Sequence, residues 1–218
     1  MADTARISPK QFHDEPGTEG WHVLYGGAQT VFPTDAFATG AEFVRRIAEA
    51  TAELGREPDV DLRERSVAVR TAMNPRGRLD EVDAEVARRV STVGRQLGLA
   101  PDSSRLQTLQ IGVAEYAGVD TRDFWRAALG YEDVGGVLAD PPRRLPRLWF
   151  YELATAGRGR THFDVAVPNE RAQARVQAAL AAGGRLALGD DAPYWWGLAS
   201  PDNHGVDIAG WGDVHEGV

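Results

Sequence analysis

Between Thr161 and Pro168 the chain alternates without a break. Thr161, Phe163, Val165 and Val167 fall on one side, and His162, Asp164 and Ala166 on the other. Such alternation demands a strand with one apolar face against a core and one polar face toward a cleft or water. A histidine and a carboxylate two apart on the polar face are groups that a metal or acid–base site uses. A solvent-facing strand surface would carry the same pattern.

The neighbouring segments set the architecture around this strand. Trp21–Tyr25 and Ala28–Phe32 flank Gly26-Gly27 as a hairpin, and Phe37 to Leu54 has helical spacing, capped by Thr34 or Asp35 and stopped at Gly55. Short strands follow at Val60–Leu62 and Val67–Val69. A second helix opens at Asp80 and ends before Gly98. The polar stretch 100–105 reads as a linker. Beyond it come a strand at 106–114, a helix from Thr121 to Leu129, and strands at 134–138 and 147–153. After the strand at 161–168, an alanine-rich helix begins at Asn169, followed by strands at 185–188, 194–199 and 206–209. A strand, a helix and further strands thus occur twice over, which predicts two paired modules lining one cleft. The expected domains are a flexible leader over 1–20, an α/β domain over 21–99, the linker 100–105, a second domain over 106–211 and a tail over 212–218.

Composition removes whole classes of function. The net charge of −8 argues against nucleic-acid binding, which needs clustered Lys and Arg. There is no cysteine, so disulfides, thiolate metal sites and a Cys nucleophile are excluded. No signal peptide or span of about 20 apolar residues is evident. A cytoplasmic protein with no membrane or nucleic-acid partner is expected.

Two resemblances sharpen this reading. Asp123–Tyr131, Thr161–Pro168 and Trp196–Ile208 resemble the vicinal oxygen chelate, or glyoxalase-like, superfamily. Trp21, the Phe37–Leu54 helix, Pro58-Asp59-Val60, Val67–Val69 and Leu79–Asp83 resemble pterin-4a-carbinolamine dehydratase. Together they imply an α+β fold: a two-layer dehydratase-like domain followed by a glyoxalase-like domain of paired βαβββ modules. The dehydratase resemblance places Arg56, Glu57 and Asn74 where that family carries its histidines. Of these only Glu57 can serve as a general base, so the domain is expected to be degenerate.

In the glyoxalase-like domain, the resemblance implies a metal set of Gln110, His162, Asp207 and either Glu152 or Tyr151. Such a set would hold one divalent ion (Zn, Ni, Mn or Fe). Hydrogen-bonding groups of a metal-free ligand pocket would look the same. Trp149, Tyr151, Trp195, Trp196, Asp164 and His204 are candidate substrate contacts, with aromatics available to stack on a flat ligand. Trp195 and Trp196 are adjacent, so one of them faces the cleft. The functions implied are proton-transfer chemistry on a small molecule (isomerase, cyclase, dehydratase or lyase) at His162 and Asp207, sequestration of a small molecule without catalysis, or residual pterin dehydration at Glu57. A homodimer is expected from either fold.

Overall fold

A computed structural model describes residues 5–71, 78–118, 120–153, 161–199 and 205–210. Asn74, His204 and the tail 212–218 lie outside the described residues. The chain divides into two compact units between Leu106 and Gln107.

The first unit starts earlier than the sequence pattern suggests. Residues 9–14 form a short helix, α1 (Pro9–Asp14), closed by a capping box. The Ser8 Oγ accepts from the Gln11 amide, and the Gln11 side chain accepts from the Ser8 amide. Phe12 on this helix is fully buried. The Ile7 amide donates to the Leu79 carbonyl and the Glu81 amide to the Ala5 carbonyl. The expectation of a loose leader over 1–20 is corrected for its described part, because burying one large aromatic ring outweighs the polarity of its neighbours.

β1 (His22–Leu24) and β2 (Gly27–Pro33) turn through Gly26 and Gly27, whose φ angles of 89° and 133° suit glycine. α2 (Phe37–Thr51) is capped at Ala36 without a side-chain bond, and the Asp35 carboxylate instead accepts from the Thr39 hydroxyl. β3 (Asp59–Arg63), β4 (Ser66–Arg70) and α3 (Glu81–Gln96) complete the unit. The strands form an antiparallel sheet in the order β1-β2-β4-β3. Its apolar face meets the two long helices around Phe32, Phe43, Ile47, Val67, Val69, Val86 and Val90. The stretch expected as a linker is tied down: the Asp102 amide donates to the Val31 carbonyl at 2.7 Å.

The second unit contains β5 (Thr108–Glu115), α4 (Arg122–Leu129), β6 (Glu132–Val134), β7 (Val137–Ala139) and β8 (Arg147–Glu152). It continues with β9 (Thr161–Val167), α5 (Asn169–Ala181), β10 (Arg185–Leu188), β11 (Trp195–Ala199) and β12 (Gly205–Gly210). The single strand expected at 134–138 is two, because Gly135 and Gly136 take positive φ and reverse the chain. Each module is therefore βαβββ, with its first and last strands parallel: β5 beside β8, and β9 beside β12. An antiparallel β5–β9 pair joins the modules into one eight-stranded sheet, ordered β10-β11-β12-β9-β5-β8-β7-β6. One face carries Val165, Val167, Trp196, Leu198 and Ile208 against α5, and Ile111, Val113, Leu148 and Phe150 beside Trp125. The other face carries the polar residues.

Candidate active site

Register decides what meets on the polar face. Gln110 pairs with Arg147 on β8 and Asp164 on β9, and Asp164 pairs in turn with Asp207 on β12. One step along, Trp149, Gly112, His162 and Gly205 form the adjacent row. Five polar side chains from four strands are thereby lined up side by side.

Asp164 is the hub. It is 4% exposed. Its Oδ2 accepts from Gln110 Nε2 at 2.7 Å and from the Trp149 indole N–H. Gln110 is oriented in turn by Arg147, whose Nε donates to its Oε1 at 2.6 Å. The other carboxylate oxygen, Oδ1, lies 2.8 Å from His162 Nε2, and Asp207 Oδ2 lies 3.7 Å from the same nitrogen. On the far side of the ring, Nδ1 is 2.9 Å from the Tyr151 hydroxyl. Trp149 and Tyr151 stack at 4.9 Å between ring centroids and form a wall beside the imidazole.

The charges are mutually dependent. Burial works against a charged imidazole, but the adjoining Asp164 and the further charge of Asp207 outweigh it and hold the His162 pKa above its ordinary value. Burial pushes Asp207 up to about 6. Attraction to His162 opposes that rise, and the like charge of Asp164 adds to it. Asp207 therefore holds a proton nearly to neutral pH, beside an imidazole whose charged form is favoured, a pairing that general acid–base chemistry uses.

The donor set also fits a small divalent cation. One donor atom from each of His162, Asp164 and Asp207 falls within a 4.8 Å cluster. Ligands on bonds of about 2.1 Å in tetrahedral or octahedral geometry stand about 3.0–3.4 Å apart, a spacing bracketed by the 2.8 and 3.7 Å from His162 Nε2 to Asp164 and Asp207. His162 Nε2 and Asp164 Oδ1 are buried, and despite their proximity neither makes a hydrogen bond of acceptable geometry. Two donors thus face one point without satisfying each other. One imidazole and two carboxylates suit a borderline-to-hard ion.

The candidate residues divide accordingly. Gln110, His162, Asp164 and Asp207 come together, with Trp149 and Tyr151 alongside. Gln110 is not placed as a ligand, because its amide is committed to Asp164 and Arg147. Glu152 is corrected: it pairs with Glu115 on the opposite face and is exposed, so of the two fourth-strand candidates Tyr151 faces the site. Trp195 shares the face of Asp207, whereas Trp196 packs with the α5 core and leaves the list of substrate contacts. Glu57 belongs to the other unit and is exposed. Its neighbour Arg56 is held in a bidentate pair with Asp80 at 2.6 and 2.8 Å and contacts Asp83 at 3.3 Å. Asp164, read from the alternation as half of a metal or acid–base pair and as a substrate contact, joins the ligand set, and the residues that sequence reasoning missed are Arg147 and Gly112 as neighbours of the reacting groups. Their strand parity carried the only signal.

This arrangement defines a two-domain protein in which a helix-covered antiparallel sheet precedes a paired-module sheet bearing a His–Asp–Asp centre. Residues 5–93 match the pterin 4 alpha carbinolamine dehydratase family, and residues 116–209 match the glyoxalase-like domain. A pterin-4-alpha-carbinolamine dehydratase named in Mycobacterium sp. strain KMS is 31% identical over 78 residues, which cover 36% of this chain and 83% of the relative. One from Herpetosiphon aurantiacus is 32% identical over 68 residues, covering 31% and 71%. Through its first domain the chain belongs to the pterin-4a-carbinolamine dehydratase family, and its second domain is glyoxalase-like.

Among solved structures, the chain is similar to a transcriptional coactivator/pterin dehydratase from Brucella melitensis. That match has 19% identity, covers 41% of this chain and 98% of that one, and has a TM-score of 0.36. A glyoxalase/bleomycin resistance protein/dioxygenase superfamily member from Vibrio splendidus is 14% identical, covering 49% and 100%, with a TM-score of 0.35. No helix among the described residues is long and apolar enough to cross a membrane.

Proposed function

We propose that this protein is a cytoplasmic small-molecule enzyme whose glyoxalase-like domain carries out a proton-transfer reaction of the isomerase, cyclase, dehydratase or lyase type. The observation that carries the reading is the half-buried imidazole of His162, held between the Tyr151 hydroxyl and the carboxylates of Asp164 and Asp207. His162 Nε2 accepts or returns a proton. Asp164 stabilises the imidazolium, and its own position is secured by Gln110 and Trp149. Tyr151 can donate to or accept from Nδ1, so it suits either ring tautomer. Asp207, with its pKa raised to about 6, is a second group able to hold a proton near neutral pH. Trp149, Tyr151 and Trp195 offer flat surfaces for a conjugated substrate.

His162, Asp164 and Asp207 are the residues that would hold a divalent ion (Zn, Ni, Mn or Fe). That ion would supply positive charge to stabilise a developing oxyanion. Tyr151 would then accept from His162 Nδ1 and fix the ring for ligation.

Incubating the protein with a panel of small carbonyl compounds in D2O tests the reading. Hydrogen-to-deuterium exchange at carbon should appear with the parent protein and vanish in His162→Ala. Metal content of protein purified without chelator should be stoichiometric and be lost in His162→Ala and Asp207→Asn. The stacked Trp149–Tyr151 wall favours a second reading, sequestration of an aromatic ligand. Tight ligand binding that survives His162→Ala, with neither exchange nor metal, would select it. Residual pterin dehydration at Glu57 has the least support, since Glu57 is exposed and Arg56 is occupied by Asp80 and Asp83. A homodimer is proposed, to be checked by analytical ultracentrifugation.

A further inference from the structure

Gly112 sits in the interior of β5, between Trp149 on β8 and His162 on β9. Its backbone gives no reason for glycine, since its φ is not in the positive region that excludes other residues. Glycine inside a strand costs stability and packs nothing, so its presence points to a close approach by another group. A β-carbon built at 112 would lie 2.7 Å from His162 Cε1, 3.0 Å from His162 Nδ1 and 3.0 Å from Trp149 Nε1. The imidazole therefore occupies the space that a side chain at 112 would take.

That placement explains a contact which strand geometry otherwise forbids. His162 and Tyr151 stand on strands separated by β5, and two strand spacings are about 9.6 Å. Side chains rising perpendicular to the sheet would not meet across that gap. The ring leans over β5 instead, and this brings Nδ1 to 2.9 Å from the Tyr151 hydroxyl. On its other flank His162 is paired with Gly205, where an added β-carbon would meet His162 Cβ at 3.1 Å. The geometry assigns Gly112 as the positioning residue of the site: its missing side chain is the slot that lets the His162 ring reach Tyr151 while Nε2 stays turned toward Asp164 and Asp207.

This deepens the reading of His162 as the working group and rests on it for its functional consequence, although the placement itself can be tested alone. Gly112→Ala should fold, because the atoms it meets are the far ends of side chains that can swing away. At one fixed pH, long-range 1H–15N spectra should show the His162 ring signals moving to those of Tyr151→Phe, with the Trp149 indole N–H also shifted. Where the parent binds Mn2+, the affinity of Gly112→Ala should fall about tenfold to 100-fold, the usual cost of losing a group that orients a ligand.

Adding Gly112→Ala to His162→Ala should lower Tm less than Gly112→Ala does in the parent, since the ring is no longer in the way and only Trp149 Nε1, at 3.0 Å, has to give. Unchanged ring and indole signals in Gly112→Ala would overturn the assignment. So would an equal fall in Tm with and without the imidazole, or failure of the double variant to fold. If the parent protein neither binds Mn2+ nor exchanges carbon-bound hydrogen, the enzymatic reading fails, and the spectra and Tm values still decide the role of Gly112.

Discussion

Replacing Asp207 by Asn should make the second domain more stable at neutral pH and leave it unchanged in acid. In the folded protein Asp207 holds its proton up to about pH 6, against an ordinary value of 3.8. Between those values the folded state binds the proton and the unfolded chain has released it, so stability falls as pH rises through the window. The displacement of roughly two units corresponds to about 3 kcal/mol at about 1.4 kcal/mol per unit. The side chain is 32% exposed, so solvent screening makes this an upper figure. Asparagine imitates the protonated carboxyl and does not titrate. The parent and Asp207→Asn should therefore coincide near pH 3, below the unfolded value, and diverge to at most about 3 kcal/mol, in favour of the variant, by pH 6.5. Urea unfolding of the full chain, followed by the amide cross-peaks of Ala166 and Ile208, isolates this domain from the other. Adding Mn2+ at about 100 times its dissociation constant should return about 2.7 kcal/mol to the parent and nothing to the variant. A difference that is flat with pH, or that favours the parent at neutral pH, would refute the argument.

Other perturbations separate the roles of individual residues. Arg56→Ala removes the guanidinium that pairs with the buried Asp80 and Asp83 carboxylates and should cost the first domain about 3–5 kcal/mol. Part of that loss should recover in mild acid, since burial already raises the Asp83 pKa, and thermal scans at two pH values would show it. Phe12→Ala should destabilise the first domain by about 3–5 kcal/mol, read by denaturant unfolding, where a loose leader would show no effect. Glu152→Gln should leave metal content unchanged while Asp164→Asn abolishes it, as measured by elemental analysis. Trp149→Phe keeps the wall but deletes the donor to Asp164, and should weaken Mn2+ binding about tenfold or more in calorimetry.

The two folds were legible because each rests on patterns that repeat. Alternation at 161–167 and helical spacing at 37–51 and 81–96 identify elements whatever their neighbours are. Phe12 escaped because a single aromatic in a polar stretch has no period, although Ser8 and Gln11 spell a capping box in front of it. The hairpin at Glu132–Ala139 was concealed because its strands are only three residues each. For the site, alternation says which residues share a face of one strand but not which strands lie side by side. Glu152 and Tyr151 were equivalent until the register put Tyr151 beside Ala114 and Glu152 beside Glu115. Trp195 and Trp196 had to take opposite faces, and only the pairing of Gly197 with Asp207 tells which of them belongs with the carboxylate.

The same register explains why the two modules, alike in fold, differ in chemistry. Where β9 and β12 run parallel, Asp164 and Asp207 are direct neighbours and His162 lies one row away, so both carboxylates and the imidazole come from the second module. Where β5 and β8 run parallel, the matching rows hold Gln110 with Arg147 and Gly112 with Trp149. None of these four is a carboxylate or an imidazole, and three of them direct hydrogen bonds toward Asp164 or toward each other. Adjacent carboxylates, Asp164 buried and Asp207 half-buried, would repel unless something held them, and leaving the buried charge unmatched costs several kcal/mol. The first module meets that cost with donors at Asp164 Oδ2, which leaves Oδ1 turned toward His162. The proton-bearing atoms of one module thus depend on the neutral and cationic donors of the other.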